Sequence, residues 1–363
     1  MAKYIYEYSS WPSFSWDESL VSPLLSEVRF LQGQVLGKIQ TLGFSVQEQT
    51  ALNTITDDVI KSSEIEGEKL NYDQVRSFVA RRLGIETAGL VESDRYVEGV
   101  VEMMLDATQN YKSPLDNERL FGWHNALFPT GRSGLYKIEV AQYRTGEMQV
   151  VTGAMGKEVV HSQAPSPEVV PSEMQQFLEW LNSNETVDKV LKSAIAHFWF
   201  IVIHPFDDGN GRIARAISDL LLTRSDDSPL RFYSLSAQIL HQKKEYYAVL
   251  QKVQYSDSDI TPWLVWYLEC FKRALMTTET LLKKVISKAE FWECHKDLTF
   301  NHRQQQMLNL LMGDFVGVLN TSKWAKITKC SKDTALRDIQ DLISKGILSK
   351  DSKGGRSVNY ELK

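Results

Sequence analysis

Apolar residues recur at helical intervals through most of the chain. From residue 20 to 83 the spacing predicts helix, interrupted by a loop around Gly43, and the stretches 93–110 and 115–128 continue it. The texture changes between Gly131 and Pro171, where glycines and prolines accumulate. Two short β-prone runs there, Glu147–Val151 and Glu158–Ser162, flank Thr152-Gly-Ala-Met-Gly-Lys157, so a β-hairpin is the local expectation. From Ser172 to about residue 290 the helical spacing returns. Nothing repeats at a solenoid period and no segment is of low complexity.

The C-terminal stretch has a pattern of its own. Residues 303–312, 322–328 and 332–345 read as helices. The third takes Ser331 as its N-cap, carries Leu336, Ile339, Leu342 and Ile343 on one stripe, and stops at Gly346. Lys353-Gly-Gly-Arg356 then turns a two-strand ribbon between Ile347-Leu348 and Val358–Leu362. This order is the winged helix-turn-helix pattern. Residues 296–363 hold 12 Lys/Arg and 7 Asp/Glu, a balance of +5 in a chain of net charge −5, so the remainder carries −10.

Composition narrows the class. With 363 residues the chain exceeds one ordinary core, and at roughly 150 residues per domain it calls for two or three units. A hydrophobic content of 43% and a charged content of 24% are those of a soluble globular protein. The net charge gives no reason to expect nucleic-acid binding by the chain as a whole. Cys270, Cys294 and Cys330 are odd in number and far apart, with no C-x-x-C pair. They indicate neither a disulfide framework nor a thiolate zinc site, and point to a reducing cytosol. The start, MAKYIYEYSSWPSF, alternates aromatic and polar residues without a signal-peptide core, and its aromatics imply packing onto something. The most apolar short run, Phe198 to Ile203, is far below the roughly 20 residues of a membrane helix. A soluble, cytoplasmic protein with no membrane span is expected.

The chemistry concentrates in His204 to Arg215, HPFDDGNGRIAR. Before it, Val187, Val190, Leu191, Ala194, Ile195, Phe198, Ile201 and Val202 mark a buried helical face, which Pro205 ends near His204. A second helix begins near Arg212, with Ile213, Ile217, Leu220 and Leu221 as its stripe. The Asp-Asp-Gly-Asn-Gly between them is a tight loop feeding a helix N-terminus. Its unpaired N–H groups and the positive end of the helix dipole suit phosphate. Arg212 and Arg215, three apart, add two charged forks for phosphate oxygens. Asp208 offers a hard oxygen suited to Mg²⁺ riding on a nucleotide, and His204 a base titrating near neutral pH.

The stretch resembles the signature of the Fic (filamentation induced by cAMP) family, H-P-F-x-[DE]-G-N-G-R-x-x-R, at every specified position. The surrounding helices and hairpin fit that family's helical core across roughly 90–270. The resemblance implies protein adenylylation with ATP and Mg²⁺. On it, His204 deprotonates a target hydroxyl that attacks the α-phosphate, and Asp208 holds Mg²⁺ between the α- and β-phosphates. Gly209, Asn210 and Gly211 form the anion cradle, and Arg212 and Arg215 grip the outer phosphates. Relatives that phosphorylate have a disrupted acid-Gly-Asn-Gly segment, which is intact here. The hairpin at 147–162 corresponds to the family's flap, onto which a target segment adds as a strand; an ordinary surface hairpin is the lesser alternative. Tyr246-Tyr247 resembles the aromatic pair flanking the nucleotide, although taken alone such a pair is more often core.

Leu52, Ile55, Val59, Ser62 and Glu66 follow 3-4-3-4 spacing on one helix face, so Glu66 continues an apolar stripe until Gly67 stops the helix. From spacing alone Glu66 either reaches water past the helix end or takes a cationic partner. Ser62-Ser-Glu-Ile-Glu66-Gly67 resembles S/T-x-x-x-E-G/N, the inhibitory-helix motif of Fic proteins whose inhibitor precedes the core. The resemblance implies that Glu66 pairs with Arg215 and forces ATP into a non-productive pose; in some relatives the same glutamate serves AMP removal.

The expected architecture is mainly α: an N-terminal helical region with the inhibitory helix (1–90), a Fic catalytic core with a β-hairpin flap (91–290), and a C-terminal winged helix-turn-helix domain (291–363). Expected partners are ATP, a target protein on the flap, the chain itself as acceptor, and a second copy in a homodimer. Two rivals stand beside this reading: a Fic enzyme using another donor, such as UTP or a CDP-alcohol, and a DNA-binding regulator with a nucleotide-sensing core. Lys332, Arg337 and Lys345 favour DNA at 296–363, whereas Asp333, Asp338 and Asp341 dilute the charge of the same helix.

Overall fold

The computed structural model describes residues 3–86, 89–152, 159–184, 186–313, 315, 317–350 and 358–363. The chain divides into two compact units, Met1–Thr278 and Glu279–Lys363.

In the first unit, α1 (Glu18–Gln40) and α2 (Phe44–Ile65) are separated at Gly43, as the spacing predicts. The helical reading of 20–83 has a second break, at the Gly67 stop read from the sequence. Glu66 caps α2, and α3 (Tyr72–Leu83) starts afresh where the Asn71 side chain accepts from Gln74 N–H at 3.1 Å. α4 (Arg95–Gln109) and α5 (Asn117–Leu127) are opened by Asp94 and Asp116, each side chain taking an orphan N–H of the first turn. Two small antiparallel pairs follow. One joins β1 (Arg132–Ser133) to β2 (Tyr136–Lys137), which the sequence reading missed; the other joins β3 (Gln149–Thr152) to β4 (Val159–Gln163). The hairpin expected at 147–162 is therefore present in its strands, while residues 153–158 of its turn lie outside the described residues.

α6 (Val170–Asn182), α7 (Lys189–Ile203), α8 (Asn210–Asp226), α9 (Leu235–His241), α10 (Lys243–Gln254) and α11 (Thr261–Cys294) complete the helical run. Every residue of α7 from Val190 to Ile203 is buried, which makes it the helix around which the core is laid. It packs most extensively on α8, while α2 packs against α9, α3, α4 and α8. Leu52, Ile55, Val59 and Ser62 are all buried, so the stripe read from spacing is the face by which α2 meets its neighbours. The N-terminal aromatics also pack as expected. Trp11 and Phe14 stand edge-on to Trp199, and the Trp11 indole N–H donates to Glu173 at 2.8 Å.

In the second unit, α12 (His302–Leu311), β5 (Leu319–Asn320), α13 (Thr321–Ile327), α14 (Lys332–Ser344), β6 (Leu348–Lys350) and β7 (Asn359–Leu362) surround a core that includes Leu308, Trp324, Ile339, Leu342 and Tyr360. The expected two-strand ribbon is a three-stranded antiparallel sheet of order β5-β7-β6, because Leu319-Asn320 pairs with Asn359-Tyr360. The turn at Lys353–Arg356 lies outside the described residues. Ser331 caps α14 as read. The stripe differs at one end: Leu336 is 37% exposed, and Ala335 faces the core instead. Asp338 also turns inward, accepting from Arg303 Nε at 2.7 Å and from Asn301 at 2.8 Å, so it does not dilute the outer charge of α14.

Candidate active site

The loop between α7 and α8 is built by local rules. Pro205 prevents α7 from continuing, and His204 closes it in a left-handed conformation (φ 50°). Asn210 then staples the loop to itself: its side-chain oxygen accepts from Phe206 N–H at 3.0 Å and its amide donates to the Phe206 carbonyl at 2.7 Å. α8 begins two residues before the position read from sequence, at Asn210, preceded by Gly209 at φ 81°. A side chain at Gly209 would be strained there and would also meet Phe128 at 2.9 Å. The N-terminal N–H groups of α8 have no side-chain cap, so the loop presents an open anion-binding end.

His204 sits partly exposed at the rim. Its Nδ1 lies 3.2 Å from the Ile201 carbonyl, a contact that requires the proton on Nδ1 and leaves the Nε2 lone pair free. Burial lowers its pKa from 6.5 to about 4, the Arg144 cation acts in the same direction, and the Ile201 bond and the Glu66 and Asp208 carboxylates oppose it. The ring is therefore neutral near pH 7, the state a general base requires.

Asp208 accepts from the Ser133 hydroxyl through Oδ2 and from Gly209 N–H through Oδ1. Among the described residues no group of three or more His, Cys, Asp or Glu forms a metal cluster. A single fixed carboxylate beside a phosphate cradle is nevertheless the donor set that fits Mg²⁺, which takes one or two carboxylates and completes its shell with phosphate and water.

The segment from Gly131 to Gly146 is pinned to this loop at several points. Ser133 holds Asp208, and Glu139 N–H donates to Asp207 at 2.9 Å. His124 bridges Ala141 N–H, at 3.2 Å from its Nδ1, to the Asp208 carbonyl, at 3.2 Å from its Nε2. Arg144, 2% exposed, donates to the carbonyls of His204 (2.8 Å), Gly146 (2.8 Å) and Pro165 (2.5 Å). It thereby ties both strand bases of the β3–β4 hairpin to the residue carrying the imidazole. Sequence reasoning missed Ser133, His124 and Arg144, whose partners in the His204–Asp208 stretch are all remote in sequence.

Both arginines of the loop are 1% exposed and both meet a carboxylate from the end of α2. Arg215 Nη2 donates to Glu66 Oε1 at 2.6 Å and to the Ser62 carbonyl at 3.0 Å, and Nε donates to Ser62 Oγ at 2.8 Å. Burial opposes the Arg215 charge, and the Glu66 carboxylate more than compensates, leaving its pKa raised. Glu66 Oε1 also lies 2.1 Å from where a Cβ would stand on Gly211, so only glycine admits this carboxylate against the first turn of α8. Arg212 meets an acid that sequence reasoning missed. Its Nη1 donates to Glu68 Oε2 at 2.7 Å and lies 2.6 Å from the Tyr96 hydroxyl, which itself donates to Glu68.

The two tyrosines separate. Tyr246 is 2% exposed; its hydroxyl lies 2.9 Å from His197 Nε2, and His197 Nδ1 lies 2.8 Å from Ser218 Oγ. Tyr246 thus belongs to a buried network behind Arg215, and its pKa is raised by that burial. Tyr247 is partly exposed and is the member of the pair that reaches accessible surface.

Residues 114–222 match the Fic/DOC family, and residues 4–85 match a domain of unknown function (DUF4172). The chain is 36% identical over 94 residues to protein adenylyltransferase fic-1 of Caenorhabditis elegans, across 25% of this chain and 17% of that protein. It is 28% identical over 223 residues to protein adenylyltransferase Fic of Aedes aegypti, across 60% of this chain and 40% of that protein. The matches to these two relatives span at most 40% of their length. Among solved structures, a Fic family protein from Desulfovibrio desulfuricans shares the fold (TM-score 0.54, 23% identity, 95% of this chain and 96% of that one). A Fic domain containing signaling protein from Bacteroides thetaiotaomicron does so as well (TM-score 0.52, 23% identity, 71% of this chain and 97% of that one).

Proposed function

We propose that this chain, which carries a Fic/DOC domain, transfers AMP from ATP to a hydroxyl side chain of a protein and is restrained by its own Glu66. The observation that carries the reading is the neutral His204, with Nε2 free, at the entrance to an uncapped helix N-terminus flanked by two buried arginines. Proteins similar to this chain are named protein adenylyltransferases, which agrees with that chemistry.

In the reaction, the acceptor hydroxyl oxygen forms a bond to the α-phosphorus, the bond to the bridging oxygen breaks, and pyrophosphate leaves. His204 Nε2 takes the hydroxyl proton as that bond forms. The backbone N–H groups of Asn210 and Gly211, joined by that of Gly209 once Asp208 Oδ1 releases it, receive phosphate oxygens at the positive end of α8. Arg212 and Arg215 take the outer phosphates. Asp208 would hold Mg²⁺, which supplies charge neutralisation on the α- and β-phosphates. The β3–β4 hairpin would receive a target segment as an added strand, and Arg144 keeps that edge in register with His204.

Glu66 opposes this arrangement, because it occupies Arg215 and lies against Gly211 where a phosphate oxygen would approach. The same placement favours a second reading, in which Glu66 orients a water for AMP removal. Self-modification, a homodimer and a cytoplasmic setting remain part of the proposal. A DNA role for residues 296–363 is its rival.

The test is intact-mass measurement after incubation with Mg²⁺ and ATP. A gain equal to one AMP residue, absent in His204→Ala, supports transfer; a gain of one phosphate, or none in any form that binds ATP, counts against it.

A further inference from the structure

The segment Glu66-Gly-Glu68 places two carboxylates on two arginines, and the two contacts differ in which edge of the guanidinium they use. Arg215 spends its Nε and Nη2, the parallel pair that forms a two-pronged bond to phosphate, on Ser62 and Glu66. Among the described residues only Nη1 is left without a partner, and it is buried. Arg212 is held the other way round. Among the described residues its hydrogen bonds are all made at Nη1, to Glu68 and Tyr96, while its Nε is buried and unpartnered. The Phe128 ring lies 5.0 Å from its guanidinium carbon and supports the plane.

We infer that Glu68 and Tyr96 are positioning residues that hold Arg212 by one corner so that its opposite edge faces the outer phosphates of the nucleotide. The assignment rests on the functional reading above and adds to it that neighbouring glutamates of one segment have opposite roles: Glu66 blocks its arginine and Glu68 prepares its own. Burial raises the Glu68 pKa, Arg212 acts to lower it, and nearby Asp208 and Glu66 raise it further. Tyr96 donates to the same carboxylate, so the acid is held on two sides and the guanidinium cannot swing with it. An arginine fixed in advance loses little freedom on binding phosphate, which is the advantage such a support provides.

The experiment compares Mg·ATP and AMP binding by calorimetry in a Glu66→Gly protein, alone and with Glu68→Gln or Tyr96→Phe added, with thermal melting to verify folding. AMP lacks the outer phosphates and serves as the control ligand. Glu68→Gln is expected to weaken ATP about tenfold, the scale of one charge-assisted hydrogen bond, and to leave AMP unchanged. Tyr96→Phe, which keeps the ring, is expected to act in the same direction with a smaller loss. Tighter ATP binding by Glu68→Gln would make Glu68 a second inhibitor and overturn the assignment. Equal weakening of ATP and AMP, or no change in either, would overturn it too. Failure of the Glu66→Gly protein itself to bind ATP would instead bring down the functional reading, and this assignment with it.

Discussion

Glu66 Oε1 lies 2.6 Å from Arg215 Nη2, and the serine one turn earlier on α2 takes the remaining donor of the same guanidinium edge. The two contacts come from one helix face, so Arg215 is released only when the end of α2 moves or when these groups are removed. That graded dependence separates the consequences of individual substitutions.

Ser62→Ala removes the Oγ acceptor and leaves the Glu66 pair intact. We expect a partial release, with AMP incorporation rising a few-fold. A rise equal to that of a Glu66 substitution would show that Ser62, not Glu66, holds the arginine. The measurement is initial rate of labelling at fixed ATP.

His204 sets the pH dependence. Its folded pKa is about 4, below the usual 6.5, so the imidazole stays neutral and able to accept a proton through the interval between those values. The rate constant kcat/KM for Glu66→Gly should therefore show no fall as pH drops through 6.5, and an acid limb only near 4. A limb centred at 6.5 would mean that the base titrates as an exposed histidine.

His197 makes a corresponding prediction for stability. Burial lowers its pKa from 6.5 to about 3, with Arg215 acting in the same direction. The unfolded chain binds a proton at His197 that the native state refuses, so its contribution is present above pH 6.5 and is lost as pH falls toward 3. Replacing His197 with Gln should flatten that part of the stability curve, measured by urea unfolding at several pH values. An unchanged slope would place the titration elsewhere.

Arg144 tests the link between hairpin and loop. Arg144→Ala strips the donors from the carbonyls of His204, Gly146 and Pro165, at a cost of about 3 kcal/mol or more. Denaturant midpoints report this directly. A loss below about 0.5 kcal/mol, the scale of an ordinary surface substitution, would show that water replaces the guanidinium freely.

What the sequence made legible was local. His204 to Arg215 is one contiguous turn between two helices, so its loop, its glycines and the end of α7 follow from neighbouring residues. Glu66 was legible as the continuation of the Leu52–Ser62 stripe, although its partner came from resemblance and not from spacing. Glu68, Tyr96, Ser133 and Arg144 were not legible, because each acts on a residue at least 60 positions away and none interrupts a periodic pattern. Within the second unit, Asp338 read as surface charge until Arg303 and Asn301 were found around it. β5 was missed because two residues carry no alternation, and β1 and β2 for the same reason.

The central claim, adenylyl transfer by His204 restrained by Glu66, is tested most directly with ATP labelled on its α-phosphate. The wild type, Glu66→Gly, and Glu66→Gly with His204→Ala are compared at equal protein and Mg²⁺. The account predicts strong protein labelling for Glu66→Gly, at least about tenfold above wild type, and a fall of about a hundredfold or more when His204 is also removed. Equal labelling of wild type and Glu66→Gly, or labelling that survives the loss of His204, would contradict it.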